Sequence, residues 1–213
     1  MFITFEGIEG SGKSTQIRHM ARYLQGRGHN CLITREPGGT RIGADIRAIL
    51  LDPENSELDP VAELFLYAAD RRQHVQEIIR PSLAEGKTVI CDRFHDSTLV
   101  YQGVSRNLDR ALVEECNSRV LEDLEPDITF LLDLAPEVGL RRAWQELDQG
   151  GRQRRETRFE AEALDFHQRV RSGYLDLARR EPARFVVVDG AGDENTVRRA
   201  VLAELEAKLK TAP

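Results

Sequence analysis

Residues 7–14 carry the spacing G-x-x-x-x-G-K-[ST], with Gly7, Gly12, Lys13 and Ser14 at the fixed positions. Such a loop lets backbone N–H groups curl around phosphate oxygens, and the start of the following helix adds a partial positive charge. The lysine can reach the β- and γ-phosphates, and the hydroxyl after it can bind Mg²⁺. These residue types at this spacing predict a P-loop, a site for a nucleoside triphosphate.

The residues on either side of this loop predict a strand before it and a helix after it. Residues 2–5 are apolar enough for a buried strand, and residues 14–24 place Ile17, Met20 and Leu24 on one helical face. A strand, a glycine loop and a helix in this order are the context in which the pattern binds phosphate rather than simply turning the chain. The predicted triphosphate contacts are Gly7, Ile8, Glu9, Gly10, Ser11, Gly12, Lys13, Ser14 and Thr15.

A second pair of polar residues, Asp92 and Arg93, follows the apolar stretch of residues 88–91. An Asp after a buried strand in a P-loop protein is suited to act on Mg²⁺ together with Ser14, directly or through water. Arg93 is suited to a second phosphate group, because its planar fork makes paired hydrogen bonds to phosphate oxygens. The alternative is an Asp–Arg ion pair that only ends the strand.

A short second strand, residues 30–34, leads into the sequence Thr-Arg-Glu-Pro-Gly-Gly-Thr at residues 34–40, which predicts a fixed turn. Its glycines and Pro37 fix a turn that places Arg35 and Glu36 near the working edge of the sheet, and Thr40 caps the following helix. Arg47 lies seven residues after Thr40 and therefore on the same helical face. The alternative is that the turn is purely structural.

On a third predicted helix, Tyr67 and Arg71 are four residues apart and share a face. An aromatic ring beside a guanidinium can stack on a nucleotide base while the guanidinium bonds a base carbonyl. The alternative is that Tyr67 is a half-buried amphipathic side chain with no ligand.

Arginines are concentrated beside Gly150 and Gly151, in a polar stretch that we interpret as a lid at about residues 148–158. They are Arg152, Arg154, Arg155 and Arg158. Like charges on one loop repel unless an anion neutralises them, so a lid that closes over phosphates explains their number and would exclude water from a transfer. A solvated charged loop is the alternative.

Apolar strands and helical segments alternate along the whole chain. Further strands are predicted at 128–132 and 185–188, and further helices at 41–51, 60–79, 108–121, 136–147, 159–180 and 194–210. This alternation predicts an α/β fold of three layers, in which a five-stranded parallel sheet is flanked by helices. We expect a single P-loop domain over residues 1–213, with ligands at the carboxyl ends of the strands.

Composition excludes several other classes of protein. The formal charge of −6 argues against a general nucleic-acid binder. No apolar run reaches the length of about 18 residues that a membrane span needs, so no membrane partner is expected. Strand 1 begins at once, without a signal peptide, and the three scattered cysteines fit no metal spacing. We therefore expect a cytoplasmic protein with reduced thiols.

Two phosphate sites on one small domain predict phosphoryl transfer between two phosphate-bearing molecules. An attacking phosphate oxygen is already anionic, so catalysis consists mainly of charge neutralisation and alignment. That matches a chain with placed arginines and without an evident catalytic histidine.

The chain resembles the bacterial thymidylate kinases. The resemblance rests on Glu6-Gly7…Gly12-Lys13-Ser14, the Arg-Glu-Pro-Gly-Gly-Thr stretch of residues 35–40, the Tyr67–Arg71 pair, and Asp92-Arg93-Phe94…Tyr101-Gln102-Gly103. Order and spacing agree from about residue 2 to the last helix. The resemblance implies transfer of the ATP γ-phosphoryl group to dTMP with Mg²⁺, and a homodimer.

The same resemblance implies a role for each matching residue. Lys13 and the loop backbone would bind ATP, while Arg47 and Arg93 would bind the dTMP phosphate. Arg71 would bond the thymine carbonyl, and Thr98 and Gln102 would line the pocket for the base and sugar. Tyr101 would crowd a ribose 2′-OH, and Glu9 would approach the acceptor sugar. Glu36, Pro37, Tyr67 and Ser97 complete the predicted substrate contacts. No basic residue occupies positions 8–11, so the catalytic charge beyond Lys13 and Arg93 is assigned to lid arginines, Arg152 and Arg158.

Other functions remain as alternatives to this one. A kinase for another monophosphate, such as dUMP or a cytidine nucleotide, differs by little in the pocket, since a methyl group discriminates by only about 1–3 kcal/mol. A nucleoside kinase gains nothing from a second phosphate clamp. A GTP-binding switch needs an Asn-Lys-x-Asp motif, where this chain has Val188-Asp189-Gly190-Ala191-Gly192. A non-catalytic scaffold does not explain the intact Lys13, Ser14, Asp92 and Arg93.

Overall fold

A computed structural model of the chain describes residues 1–149 and 156–211. Within these residues the strands are β1 (Phe2–Glu6), β2 (Cys31–Arg35), β3 (Thr88–Asp92), β4 (Ile128–Asp133) and β5 (Phe185–Asp189). They form one sheet in the order β2-β3-β1-β4-β5, and all neighbouring strands are parallel.

Helices connect the strands and cover the sheet. They are α1 (Lys13–Gln25), α2 (Arg41–Leu51), α3 (Pro60–His74), α4 (Arg80–Ala84), α5 (His95–Thr98), α6 (Arg110–Leu121), α7 (Pro136–Asp148), α8 (Leu164–Arg180) and α9 (Glu194–Thr211). Wider π-helical turns follow α3 at Val75–Ile79 and α5 at Leu99–Ser105, and a 3₁₀ turn lies at Pro53–Asn55. Among the described residues, no helix has both the length and the apolar character needed to cross a membrane.

The core lies on both faces of the sheet, because successive strand side chains point to opposite sides. On one face, Ile3 and Phe5 of β1 pack with Met20 of α1 and Val201 of α9. Leu131 of β4 points the other way and joins a cluster built with α2 and α8. The predicted three-layer α/β fold with a five-stranded parallel sheet is therefore confirmed.

Strand order places the predicted chemistry together. The central strand β1 lies between β3 and β4, and Phe5 of β1 pairs with Asp92 at the end of β3. Arg35, at the end of β2, pairs with the same Asp92. The loops after β1, β2 and β3 therefore begin side by side at the carboxyl edge of the sheet, where ligands of parallel sheets bind.

Two helical predictions need correction. The helix predicted at residues 159–180 begins only at Leu164, because Arg158 and Phe159 are fixed by tertiary contacts and the chain turns through Ala161 and Glu162 instead. The helix predicted at residues 60–79 is regular only to His74 and then widens into the π-helical turn. The helical segment after β3 was not predicted at all.

Candidate active site

A cavity of about 620 Å³ opens at the carboxyl edge of the sheet. It is lined by most of the residues that the sequence predicted: Glu9, Gly10, Ser11, Gly12, Lys13, Ser14, Thr15, Glu36, Pro37, Arg47, Tyr67, Arg71, Asp92, Arg93, Ser97, Thr98, Tyr101 and Gln102. Gly7, Ile8 and Arg158 are not part of its lining, and Arg152, Arg154 and Arg155 lie outside the described residues.

The glycine loop has the backbone that its sequence predicts. Gly10 and Gly12 have φ angles of 68° and 90°, in the left-handed region that side chains disfavour. A Cβ atom at Gly10 would also lie 2.0 Å from the carbonyl oxygen of Gly139 in α7. Glycine at these positions therefore lets the loop adopt this backbone and pass close to α7.

Lys13 lies at the first position of α1 and folds back over the loop. Its Nζ donates to the carbonyl oxygens of Gly7 at 3.0 Å and Ile8 at 2.9 Å, and to Ser11 Oγ at 3.3 Å. Burial, followed by the charge of Arg93, lowers the pKa of Lys13 to about 8. Gly7 and Ile8 thus contribute carbonyl groups that hold the lysine, while the Ile8 side chain is core.

Ser14 and Asp92 form the oxygen pair that the sequence assigned to a metal. The Ser14 hydroxyl donates to Asp92 Oδ2 at 2.9 Å, across the ends of α1 and β3. Hydroxyl and carboxylate oxygens suit Mg²⁺, which takes one or two protein oxygens together with substrate phosphates and water. The donor set therefore fits the ion that P-loop chemistry requires.

Arg93 lies in a strained bend directly after β3, with a φ angle of 70°. Its Nη2 donates to Glu9 Oε1 at 3.0 Å, and its Nη1 lies 3.2 Å from the Tyr174 hydroxyl. A non-glycine residue in this conformation costs free energy, so the surrounding structure must fix it. The contact with Asp92 that the sequence left open as an alternative is not among the hydrogen bonds of Arg93 within the described chain.

Glu6, which the sequence analysis did not single out as a site residue, fixes that bend through hydrogen bonds of its carboxylate. Its carboxylate accepts the Phe94 N–H, the Ser97 hydroxyl and the Tyr174 hydroxyl, each at 2.7 Å. Burial raises the pKa of Glu6. The signal that could have found it is an acidic residue at the end of an otherwise apolar strand, since a buried carboxylate needs partners.

Arg47 projects from α2 toward the same cavity. Its Nε and Nη2 donate to the two carboxylate oxygens of Glu156 at 3.1 and 2.8 Å, and its Nη1 donates to the Pro37 carbonyl oxygen at 3.0 Å. The paired geometry is the one that an arginine fork makes with phosphate. Glu156 is therefore a cavity residue that the sequence analysis missed.

Arg71 is almost completely buried at the inner end of the cavity. It donates to Glu36 Oε2 at 2.7 Å, to Thr98 Oγ1 at 2.8 Å, to the Phe94 carbonyl oxygen at 3.1 Å and to Asn117 Oδ1 at 3.3 Å. These bonds leave one guanidinium N–H without a partner among the described residues.

Glu36 is a support for Arg71 rather than an exposed ligand group. Its side chain is 2% exposed and also contacts His74 Nδ1 at 2.9 Å. Burial alone would raise the pKa of Glu36, but the charge of Arg71 and the contact with His74 hold it below the ordinary value. The turn at residues 34–40 therefore carries an ionised carboxylate that fixes the arginine.

Aromatic rings form one wall of the cavity. Tyr101 and Phe159 meet edge to face with ring centroids 5.5 Å apart, and Tyr67 is tilted against Phe159 at 6.5 Å. Gln102 lies beside this wall, and its amide donates to Glu63 Oε1 at 2.7 Å. Phe159, which the sequence analysis assigned only to a helix, is thus a lining residue.

Arg158 is held away from the cavity by a buried ion pair. Its Nη2 lies 2.5 Å from Glu63 Oε2 and its Nε donates to the Leu50 carbonyl oxygen at 2.6 Å. The Arg158 side chain is 5% exposed and that of Glu63 is completely buried. In this arrangement Arg158 ties the chain before α8 to α2 and α3.

A P-loop follows the central strand of a parallel sheet, and it lines one cavity together with Ser14, Asp92 and several arginines. These features define a P-loop nucleotide-binding protein. The sequence model of the thymidylate kinase family matches residues 5–201. The chain belongs to the thymidylate kinase family. The resemblance inferred from the sequence motifs is therefore confirmed.

Individual relatives agree with this assignment over nearly the whole chain. The chain is 56% identical over 206 residues to the thymidylate kinase of Desulfosudis oleivorans, covering 97% of this chain and 96% of that protein. It is 57% identical over 189 residues to the thymidylate kinase of Geobacter sulfurreducens, covering 89% and 88%. The crystal structure of thymidylate kinase from Ehrlichia chaffeensis superposes with a TM-score of 0.77 at 37% identity, covering 96% of this chain and 98% of that one.

Proposed function

We propose that the chain transfers the γ-phosphoryl group of ATP to the phosphate of dTMP, which yields ADP and dTDP. The observation that carries this proposal is one cavity lined by two cationic groups, the Lys13 loop and the Arg47–Arg93 pair. Membership of the thymidylate kinase family supports ATP and dTMP as the two molecules.

Arg47 and Arg93 bind the acceptor phosphate in this proposal. Each guanidinium is paired with a carboxylate, Glu156 for Arg47 and Glu9 for Arg93. A phosphate presents the same kind of paired oxygens to an arginine fork and carries more charge. The substrate phosphate therefore takes over arginines that are already extended and oriented.

The base and sugar occupy the space between Arg71 and the aromatic wall. The remaining N–H of Arg71 donates to a thymine carbonyl oxygen, the ring stacks on Tyr67, and Thr98 and Gln102 border the base. The Tyr101 hydroxyl, which bonds Glu9 Oε1 at 2.6 Å, lies where a ribose 2′-OH would need room. This arrangement favours a deoxynucleotide.

The donor end consists of the loop and the proposed metal pair. Lys13 and the N–H groups of residues 9–15 bind the ATP phosphates, and Ser14 with Asp92 holds Mg²⁺. When bound, Mg²⁺ neutralises charge on the phosphate oxygens of ATP. Lys13 turns from the carbonyl oxygens of Gly7 and Ile8 to the phosphates when ATP enters.

The transfer itself needs alignment more than proton removal. An acceptor phosphate oxygen forms a bond to the γ-phosphorus as the bond to the ADP oxygen breaks, and the attacking oxygen is already ionised. Lys13 and Arg93 neutralise charge at the two ends. We assign the further positive charge to lid residues Arg152 and Arg158, and for Arg158 this requires release from Glu63.

We further propose a homodimer in the cytoplasm. Ile42, Ile49 and Phe65 are exposed apolar side chains on the neighbouring helices α2 and α3, with 43%, 46% and 54% of their surface accessible. Helices that expose such residues are suited to pack against a second copy. Light scattering during gel filtration tests this, with Phe65→Glu expected to shift the protein toward a monomer.

An assay of ADP release with a panel of acceptors tests the proposed reaction. Purified protein with ATP and Mg²⁺ is given dTMP, dUMP, dCMP, TMP as the ribonucleotide, or thymidine in turn. We expect dTMP to be preferred, and no turnover with thymidine. Turnover with thymidine alone would refute the second phosphate site, whereas loss of turnover in Lys13→Ala but not in Arg93→Ala would refute the assignment of Arg93.

A further inference from the structure

His167 is a completely buried histidine on α8 that faces the glycine loop. Its Nδ1 lies 3.2 Å from Glu9 Oε2. Within the described residues, neither of these two atoms has a hydrogen-bond partner that satisfies the geometry, and the second ring nitrogen of His167 has none either. Two buried polar atoms that face each other at this distance, each without another partner, point to a paired function.

The other half of the Glu9 carboxylate is fully used. Oε1 accepts the Tyr101 hydroxyl at 2.6 Å and an N–H of Arg93 at 3.0 Å. Glu9 thus stands between an arginine proposed to bind the acceptor phosphate and a tyrosine proposed to border the acceptor sugar. Its orientation decides where both of those groups point.

In the proposed reaction, substrate binding would change the environment of Glu9 on the Oε1 side only. When Arg93 turns to the acceptor phosphate, Oε1 loses a charged partner, while the carboxylate stays buried and a phosphate anion arrives nearby. A buried carboxylate that loses its partner is costly, and it rotates or takes up a proton unless another donor holds it. The contacts with His167 and Arg93 keep the pKa of Glu9 far below its ordinary value despite burial.

We propose that His167 is a positioning residue for the acceptor nucleotide. Its Nδ1 lies 3.2 Å from Glu9 Oε2, close enough for a small rotation to let an Nδ1–H donate to it, so that Glu9 keeps its place against Tyr101 while Arg93 is engaged by phosphate. His167 itself does not touch the substrate. This inference rests on the proposed function, because it takes Glu9, Arg93 and Tyr101 to surround the acceptor.

Two substitutions separate this role from simple packing. His167→Leu fills a similar space and removes the donor, whereas the amide of His167→Asn can place an N–H near the position of Nδ1. A hydrogen bond to a charged group is worth about ten- to a hundredfold in an equilibrium. We expect His167→Leu to lower kcat/KM for dTMP by about that factor and to leave the KM for ATP unchanged within about twofold, with His167→Asn regaining most of the loss.

Control variants test whether the effect passes through Glu9. Val170→Ala removes packing from the same face of α8, and we expect it to lower the melting temperature while the KM for dTMP stays unchanged. In a Glu9→Gln background, we expect His167→Leu to change kcat/KM for dTMP by less than about twofold, because coupled residues do not act additively.

The possible results are distinct. Equal losses in His167→Leu and His167→Asn, equal effects on the KM values of ATP and dTMP, or a full effect of His167→Leu in the Glu9→Gln background would each overturn the positioning role. An inactive wild-type protein with dTMP would instead refute the proposed function, which the unsubstituted protein tests by itself.

Discussion

Arg158 offers a direct choice between two roles, because the sequence assigns it to catalysis and the fold buries it. Its guanidinium lies 2.5 Å from Glu63 Oε2, and both side chains are hidden from solvent. Arg158→Met keeps the apolar stem and removes the charge and both hydrogen bonds. If the ion pair anchors the lid segment, this variant loses stability whether or not a nucleotide is present.

The magnitude depends on the partners that Glu63 keeps. Breaking a buried ion pair by removing one partner costs about 3–5 kcal/mol. Glu63 still accepts from Gln102 at 2.7 Å and from Arg106 at 3.4 Å, so it is not left alone. We therefore expect a loss at or just below the lower end of that range, about 2–3 kcal/mol in the free energy of unfolding. In a protein of this size that corresponds to a decrease of about 4–12 °C in Tm.

Thermal melts and urea unfolding measure the effect on the substrate-free protein. Arg110→Met is a matched control, because Arg110 makes an exposed pair with Glu114 at 2.7 Å and should change Tm by no more than about 1–2 °C. The double variant Arg158→Met with Glu63→Gln should lose less stability than the sum of the two single variants. Unchanged Tm in Arg158→Met together with a hundredfold or larger decrease in kcat would refute the anchoring role and assign Arg158 to the transferred phosphoryl group.

Further predictions concern charge in and near the cavity. With the pKa of Lys13 at about 8 in the free protein, ATP affinity measured by calorimetry should fall by up to about tenfold per pH unit above 8, and dTMP affinity should not. Burial, with the charge of Glu36, raises the pKa of Asp70 to about 6. Between about pH 4 and pH 6, Asp70 is therefore protonated in the folded state and ionised in the unfolded state. Ionisation of Asp70 therefore lowers the free energy of unfolding as pH rises from about 4 to 6. Asp70→Asn should have a higher Tm than the wild type at pH 7 but not at pH 4. The same Tm difference between the two proteins at both pH values would contradict this. Arg93→Ala should reduce kcat at least about a hundredfold, with near-normal turnover as the contradicting result.

The features that could be predicted from sequence are those in which one short segment carries the whole signal. The P-loop is continuous, and the sheet rules bring its strand beside the strand that ends at Asp92. The positions of Arg47 and Arg93 at this edge could be predicted, because Arg93 directly follows β3 and Arg47 lies on α2, the helix after β2. Fixed spacing and parallel topology together are enough to locate these groups.

The supports of the site could not be predicted, because their partners are far apart in sequence and ordinary in type. Glu6 and Tyr174 are 168 residues apart in sequence and form a hydrogen bond, and Glu63 and Arg158, which form an ion pair, are 95 residues apart. A tyrosine or an arginine on an amphipathic helix gives no spacing signal for such a contact. The late start of α8 has the same origin, since the anchoring of Arg158 overrides a local helical pattern.

In the proposed function, a carboxylate paired with each of Arg47 and Arg93 explains how an acidic chain would bind two anionic nucleotides in one cavity. Arg93 is paired with Glu9 and Arg47 with Glu156, so neither guanidinium is buried without a counter-ion. In this proposal the substrate phosphate replaces a carboxylate on each arginine and does not have to desolvate a free cation. Because each guanidinium is already oriented, the entropic cost of ordering it on binding is lower. The two acids differ in burial, because the Glu156 side chain is 25% exposed whereas the Glu9 side chain is 8% exposed. A displaced Glu9 therefore needs a second donor within the protein. His167 is where the fold provides one.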